Sequence, residues 1–513
     1  MTTQFLDCTL RDGGYYTNWD FDEDLVSRYL AAMQATGIDV IEIGYRNPAH
    51  PEYKGEYFYT PVERIQWIQG QFDGKLAILI DVKSVNAASI RPLLEPLQGS
   101  VDMIRFAAKP NDLQGALDVA LVAQSMGFEI AFNVMYFSDW WSNQETLSTL
   151  VDLGQHVNVV YLVDSYGAAY PAQVATAVST LVQSKVKVGF HGHNNLELAL
   201  ANTLEAIRAG AILVDSTVTG MGRGAGNLKT ELLLTSFFGQ SNLPVDYKSL
   251  SSLVAEFEVL RAEYGWGTSL PYMVAGAKSF PQGKVMDWIS TRYYPLEEVV
   301  VGLATKLSSK PAKSYPSLTF SNKTRECLVV GGGASVVHHV RALRKWINTK
   351  PNMLLVFASS RHFNLFEATS NDKIVVLVGN ESDRLERQLD SWNDFRGCCV
   401  LPPAPREIPE IVPSALENCV FEVTSDKDQS ISVDISSHTA VALQTCLLSN
   451  PEVVFTCGYD GYVGSHFVGK TKEVHLENES LFLSAKAHGM RCVSLTPTSY
   501  NHLEESSIYG LTS

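Results

Sequence analysis

The chain has little cysteine: eight residues in 513, only Cys8 in the first half, and no CxxC pair. That scarcity excludes a disulfide framework or a zinc knuckle and suits reduced, buried thiols in a cytoplasmic protein. No apolar run reaches the ~18–20 residues of a membrane span. A basic stretch followed by an apolar segment is also missing from the start, so no secretory signal is expected. Positive charge is in short supply, with 40 Lys+Arg against 55 Asp+Glu and a net charge of −15. Nucleic acid and anionic membranes are therefore unfavourable partners. Neither a low-complexity tract nor a repeat of roughly 20–50 residues is present. What remains is a globular balance, 45% hydrophobic and 19% charged, over a length that predicts two or three domains.

A strand-then-helix rhythm starts at the N-terminus. Strand-like runs fall at Phe5–Leu10, Val40–Gly44, Leu76–Val82, Met103–Phe106, Ile130–Met135, Val159–Val163, Val186–Phe190 and Ile212–Val214. Amphipathic segments such as Asp24–Ala35 and Leu196–Ala209 lie between them. Eight such units at spacings of roughly 25–36 residues predict a (β/α)8 TIM barrel over residues 1–240. Residues 241–318 read as a helical extension and linker, with helices at Leu250–Tyr264 and Leu296–Leu307 and a Ser/Pro/Lys-rich connector at Ser308–Ser317. Residues 319–513 return to α/β and predict a Rossmann-like open sheet, beginning near Ser321. Its strands are Glu326–Val330, Met353–Phe357, Ile374–Val378, Cys398–Leu401, Val420–Val423, Val453–Cys457 and Arg491–Leu495, and Ser335–Ile347 is its first helix.

In a barrel, polar residues at the C-terminal strand ends converge on one face. Asp12, Glu42, Arg46, Asp81, Lys83, Arg105, Asn133, Asp164, His191, His193 and Asp215 hold such places. Asp12 follows the first strand, and His191 and His193 end the seventh, two apart and hence on one face. One carboxylate and two imidazoles can hold a divalent metal and leave positions open for substrate. Arg11 offers a planar fork for a substrate carboxylate, with Asn133, Asp164 and Lys83 as further substrate contacts. Lys83 could alternatively form a Schiff base with a keto acid, although pairing with Asp81 or Glu42 is the simpler reading. Asn227 closes Gly220-Met221-Gly222-Arg223-Gly224-Ala225-Gly226, whose glycines let backbone approach a ligand. Gly331–Gly333, Asp460-Gly461 and Ser494–Thr498 follow strands of the second domain, where open sheets bind ligands.

Thr9-Leu10-Arg11-Asp12-Gly13, His191-Gly192-His193-Asn194-Asn195-Leu196 with Ala201-Asn202, and Asp215 through Gly226-Asn227 resemble a known family. It is the superfamily of metal-dependent TIM-barrel lyases (DRE-TIM metallolyases) that includes 4-hydroxy-2-oxovalerate aldolase, hydroxymethylglutaryl-CoA lyase and isopropylmalate synthase. The likeness covers roughly residues 4–235, is strongest to the aldolase branch, and lacks the lyase branch's cysteine-bearing loop and an acyl-CoA signature. It implies Asp12, His191 and His193 as ligands of Mn²⁺ or Mg²⁺, ahead of Zn²⁺, with Asn227 as a further ligand or loop residue. It also implies that Arg11 holds a pyruvate-like enolate, the substrates being a 2-keto acid and an aldehyde or sugar acceptor. Homodimers are common in this family.

One departure stands out. Where the aldolase branch has its acid/base histidine, this chain has Tyr15, and a tyrosine's ordinary pKa near ~10 makes it a poor base at neutral pH. The C-terminal domain is weakly similar to Rossmann-like domains of surface-polysaccharide proteins, through Tyr-Asp-Gly-Tyr (459–462) and Ser-Leu-Thr-Pro-Thr-Ser-Tyr (494–500). The expectation is a metal-dependent aldolase. The alternatives are a Claisen-type acyltransferase using acyl-CoA and a catalytically retired sugar- or nucleotide-binding protein.

Overall fold

The computed structural model describes residues 3–511 except 239–244, 291–295, 306–313, 321–325, 380, 390–394, 404–405, 407–411, 425–429, 433–434 and 463–468. It divides into two compact units, Met1–Asp287 and Trp288–Ser513.

The first unit is a closed, wholly parallel barrel of β1 (Gln4–Asp7), β2 (Val40–Tyr45), β3 (Lys75–Asp81), β4 (Met103–Ala108), β5 (Glu129–Val134), β6 (Val159–Asp164), β7 (Val188–Gly192) and β8 (Leu213–Ser216). Closure runs through β1 on β8, with Phe5 beside Val214 and Asp7 beside Ser216. Strands buried on both faces are apolar nearly throughout, and β2 is buried over all six residues. Alternation sorts the two faces. Leu6, Val40, Ala77, Met103, Ala131, Val159 and Tyr161 pack together as one cluster, while their neighbours Phe5, Ile41, Ile78, Ile104, Ile130 and Val160 join the core that includes the surrounding helices.

Two expectations shift locally. The predicted strand Phe5–Leu10 stops at Asp7 and gives way to a helical turn, Thr9–Asp12. Asp7 forces the change: its carboxylate accepts the Thr9 amide at 2.9 Å, and the Asp12 amide closes on the Cys8 carbonyl at 2.9 Å. The seventh strand starts two residues later than predicted, because Lys185 takes φ +64° and the Val186 amide turns back to Leu181 O at 3.0 Å. His191 thus lies within β7, and His193 sits beyond its end, bridged to Asn227.

Helices Tyr247–Tyr264 and Leu270–Ala277, from the expected helical extension, fall within the first compact unit. Trp266 Nε1 donates to Thr219 O (3.2 Å), Thr268 Oγ1 to Asn194 O (2.8 Å) and Asn195 Nδ2 to Tyr272 O (2.9 Å), all on barrel loops. Residues 308–313 of the expected connector, and Ser321, lie outside the described residues. Among the described residues no helix is long and apolar enough to cross a membrane.

The second unit is an open parallel sheet of eight strands: β9 (Glu326–Val330), β10 (Leu354–Phe357), β11 (Lys373–Val376), β12 (Cys398–Leu401), β13 (Val420–Glu422), β14 (Val453–Cys457), β15 (Cys492–Ser494) and β16 (Glu504–Glu505). Their order is 13-12-11-10-9-14-15-16, with a separate apolar core on each face. The seven predicted strands are present and Ser335–Ile347 is helical as expected. β16, two exposed glutamates on the sheet edge, has no apolar signal to read.

Candidate active site

The barrel mouth holds a cavity of about 390 Å³ lined by Arg11, Asp12, Tyr15, Tyr45, Asn133, His191, His193 and Arg223, with Gln282–Lys284 and Asp287 closing one side. The helical turn Thr9–Asp12 presents Asp12, which is 2% exposed. Burial pushes its carboxyl up, but Arg11 and the two histidines bring it below the ordinary carboxylate value. Asp12 also accepts the Asn227 Nδ2–H at 2.7 Å.

Both imidazoles are fixed through Nδ1. His191 Nδ1 lies 2.8 Å from Asp215 Oδ2, and His193 Nδ1 lies 2.9 Å from the Asp164 carbonyl. Those oxygens only accept, so each Nδ1 carries the proton and each Nε2 offers its lone pair. His191 Nε2 stands 3.7 Å from Asp12 Oδ2, and the two rings are 5.0 Å apart. Burial, helped by His191, holds the His193 pKa down at about 3.

The glycine-rich loop delivers the fourth group. Gly226 has φ +74° and a Cβ there would lie 2.1 Å from Gly220 O; a Cβ on Gly222 would lie 2.4 Å from Asn227 Nδ2. Only glycine lets the loop fold back this tightly. The Asn227 Oδ1 it buries has no hydrogen-bond partner among the described residues.

Beneath the cavity lies a buried charge network. Arg11 Nε donates to Glu42 Oε2 (2.6 Å) and its Nη1 to Asp12; Arg105 reaches Asp215 (2.6 Å) and Glu42 (3.2 Å). Three carboxylates, Asp12, Glu42 and Asp215, face the guanidiniums of Arg11 and Arg105, with Arg223 a third guanidinium on the cavity wall. Burial raises the Asp215 carboxyl, but Arg105 and His191 bring it to about 2, so it stays an acceptor for His191.

Cys8 was not singled out in the sequence. Its sulfur, with ligand atoms of Asp12 and His191, forms a trio within 4.8 Å. The helical turn brings it there, since residues four apart share a helix face; an extended reading hides this. The thiol donates to Asp12 (3.9 Å) and Ser216 O (3.5 Å), and burial pushes its pKa up, so it supports Asp12 as a protonated donor. Tyr45 and Arg223 were missed as well. Tyr15 shares a hydrogen bond with Tyr45 at 2.9 Å, and the Arg223 guanidinium sits 3.8 Å from the Tyr15 ring centroid.

Two expected substrate contacts fall elsewhere. Lys83 is exposed on a turn after β3, outside the cavity lining. The Asp164 carboxylate is used up on the Ala168 and Ala169 amides and Ser138 Oγ, and burial raises it to about 6; it shapes the loop that holds His193. Arg46 and Asp81 likewise bind backbone, Arg46 to Leu93, Tyr59 and Thr60 carbonyls and Asp81 to the Lys83 amide. Asn133 does line the cavity, with Oδ1 accepting from Arg105 at 3.3 Å.

Residues 108–253 match the HMGL-like family model. Oxaloacetate decarboxylase of Mycobacterium tuberculosis is 32% identical over 254 residues, spanning 46% of this chain and 70% of that protein. The 4-hydroxy-2-oxovalerate aldolase of Pelotomaculum thermopropionicum is 29% identical over 238 residues, spanning 45% and 69%. Among solved structures, a Bacteroides vulgatus N-terminal domain, provisionally described as an aldolase, is 43% identical with a TM-score of 0.54, covering 56% of this chain and 97% of that one.

Proposed function

Because the chain belongs to the HMGL-like family, whose named relatives include aldolases and a decarboxylase, we propose that the barrel is a divalent-metal-dependent lyase. It would make or break a C–C bond next to a 2-keto acid through a pyruvate-type enolate. The observation that carries this reading is the pair of histidines with Nδ1 tied and Nε2 open, beside Asp12 and the unpartnered Asn227 Oδ1.

The residues fit a hard or borderline cation: one carboxylate, two neutral imidazoles and an amide oxygen, with Asn227 turning its amide to ligate. Asp12, His191, His193 and Asn227 would hold Mn²⁺ or Mg²⁺. Such a cation, when bound, polarises a keto acid's carbonyl and offsets the charge that develops on the enolate.

The chain's own groups do the rest. Arg11 has Nε and Nη1 fixed by Glu42 and Asp12, which leaves Nη2 as the donor for a substrate carboxylate. Asn133, steadied by Arg105, presents its amide to the same cavity. Tyr15, paired with Tyr45 and capped by Arg223, would act as an acid toward the departing fragment or orient a water there rather than serve as a strong base. Cleaving a 4-hydroxy-2-keto acid and decarboxylating a 3-carboxy-2-keto acid both leave the same enolate, so one site serves either relative's reaction.

Mn²⁺ titration followed by electron paramagnetic resonance, with pyruvate release from 4-hydroxy-2-oxovalerate and oxaloacetate, tests the proposal. One tightly bound Mn²⁺ and metal-dependent pyruvate release are expected. Protein-dependent pyruvate release, above the rate without protein, that persists without metal would refute it.

A further inference from the structure

The second unit contains a cavity of about 650 Å³ that the barrel chemistry does not use. It lies over β9 and β14, the neighbours at which the strand order reverses. In an open parallel sheet the connections leaving two such strands part to opposite faces and leave a crevice at the strands' carboxyl ends. The lining follows from that topology: Gly331–Ala334 after β9, Ser359 and Arg361 after β10, Glu381 and Arg384 after β11, Tyr459–Tyr462 after β14, and Ser437–Thr439 where the helix His438–Ser449 begins.

This wall is braced by buried polar groups. Glu381 is 1% exposed; its carboxylate accepts from the Ser360 amide and hydroxyl, both at 2.5 Å, pairs with Arg384, and lies 3.7 Å from His438 Nε2. Burying a carboxylate is costly in desolvation. Here that cost fixes an arginine and a histidine on the cavity wall. Arg384 uses one guanidinium nitrogen on Glu381, and its others have no protein partner among the described residues. On the facing loop, Arg361 donates to Gly332 O at 3.1 Å while remaining exposed, and His362 Nε2 lies 3.2 Å from Gly333 O. Asp460 accepts from the Ser335 amide at 3.1 Å and from its hydroxyl.

The three glycines have different tasks. A Cβ on Gly331 would lie 2.5 Å from Gly458 O, and one on Gly333 would lie 2.6 Å from Asp460 Oδ1, so these two let the β9 and β14 loops meet. A Cβ on Gly332 would meet only Ser359 at 3.4 Å; this residue presents bare backbone to the cavity.

The lining pairs two guanidiniums, whose forks match phosphate oxygens, with the Asp460 carboxylate, which already accepts from the Ser335 hydroxyl. Tyr462 lines the same cavity, while the Tyr459 and Tyr500 rings pack into the wall against Phe482 and His475. Inorganic phosphate would fill only a small part of a cavity of about 650 Å³. We propose that this crevice binds a phosphorylated, hydroxyl-bearing small molecule, a nucleoside phosphate or a sugar phosphate, with Arg361 and Arg384 on the phosphate.

Isothermal titration calorimetry on the full chain tests this, with UDP, ADP, glucose 1-phosphate and inorganic phosphate as probes. At least one organic phosphate should bind with one site per chain and a Kd on the order of 10 μM, with inorganic phosphate at least tenfold weaker. UDP or ADP binding alone identifies a nucleotide site; glucose 1-phosphate binding alone identifies a sugar phosphate site. Arg384→Ala and the exposed Arg361→Glu should each weaken binding at least tenfold, while Asp12→Ala leaves it unchanged. The proposal is overturned if no organic phosphate binds tighter than about 1 mM, if inorganic phosphate binds as well as they do, or if Arg361→Glu binds normally.

Discussion

The two cavities differ in where their polar groups originate and in how fully those groups are used. At the barrel mouth, side chains from strand ends and a glycine loop converge on a small volume and keep capacity in reserve: two Nε2 lone pairs and the orphaned Asn227 Oδ1. In the second unit the wall is made of loops and helix starts. Among the described residues, no side chain lining it has a buried polar atom without a hydrogen-bond partner. A small ion needs unsatisfied donors within a few ångströms of one another. An organic ligand needs rigid walls whose outward-facing atoms it completes itself. The contrast separates a site built for chemistry from one built for recognition.

The sharpest way to break the comparison is at Asp12. Asp12→Ala should remove high-affinity Mn²⁺ binding and lower turnover by about 10³-fold or more, measured by titration and pyruvate release; normal metal content with normal turnover would contradict the metal assignment. Asp215→Asn comes next. It weakens the acceptor that keeps the proton on His191 Nδ1, so Mn²⁺ affinity should fall by roughly 10–100-fold, with recovery at higher metal concentration. An unchanged affinity would mean that the tautomer lock does not matter. Tyr15→Phe keeps the ring under Arg223 but removes the hydroxyl, and kcat for C–C cleavage should fall about tenfold or more, while Mn²⁺ affinity stays put. Lys83→Ala should change kcat by less than about twofold, and borohydride with pyruvate should leave the protein unlabelled. Trapping at Lys83 would replace the metal mechanism with a Schiff-base one.

Much of this architecture was legible in the sequence because parallel strands buried on both faces write themselves as short apolar runs. The eight barrel strands and seven of the eight strands in the second sheet followed from that signal. Asp12, His191, His193, Arg11 and Asn133 reached the cavity because strand ends of a barrel all open on one face. What escaped depends on local geometry. Asp7 turns the chain into a helix one residue after β1, and that turn alone brings Cys8 beside Asp12. Asp164 reads as a strand-end acid like any other; only the folded loop shows its carboxylate bound to Ala168 and Ala169. Lys83 follows an N-capping Asp81 into an exposed turn outside the cavity lining, a local geometry that its position after a strand does not reveal. Tyr45 and Arg223 lie 30 and 208 residues from Tyr15 with no motif joining them. In the second cavity Gly331–Gly333 and Asp460-Gly461 were legible as residues following strands, whereas Glu381 and His438 open separate helices and only the reversal of strand order brings them to the same crevice.

Deuterium exchange into the methyl group of pyruvate tests the central claim most directly, because it reports enolate formation without an acceptor aldehyde. With purified protein and Mg²⁺ in D₂O, proton NMR should show loss of the methyl signal. EDTA and Asp12→Ala should each abolish that loss, and restored Mg²⁺ should rescue the EDTA-treated protein alone. No exchange by protein that demonstrably binds the metal, or exchange that continues in EDTA, would contradict a metal-dependent pyruvate enolate.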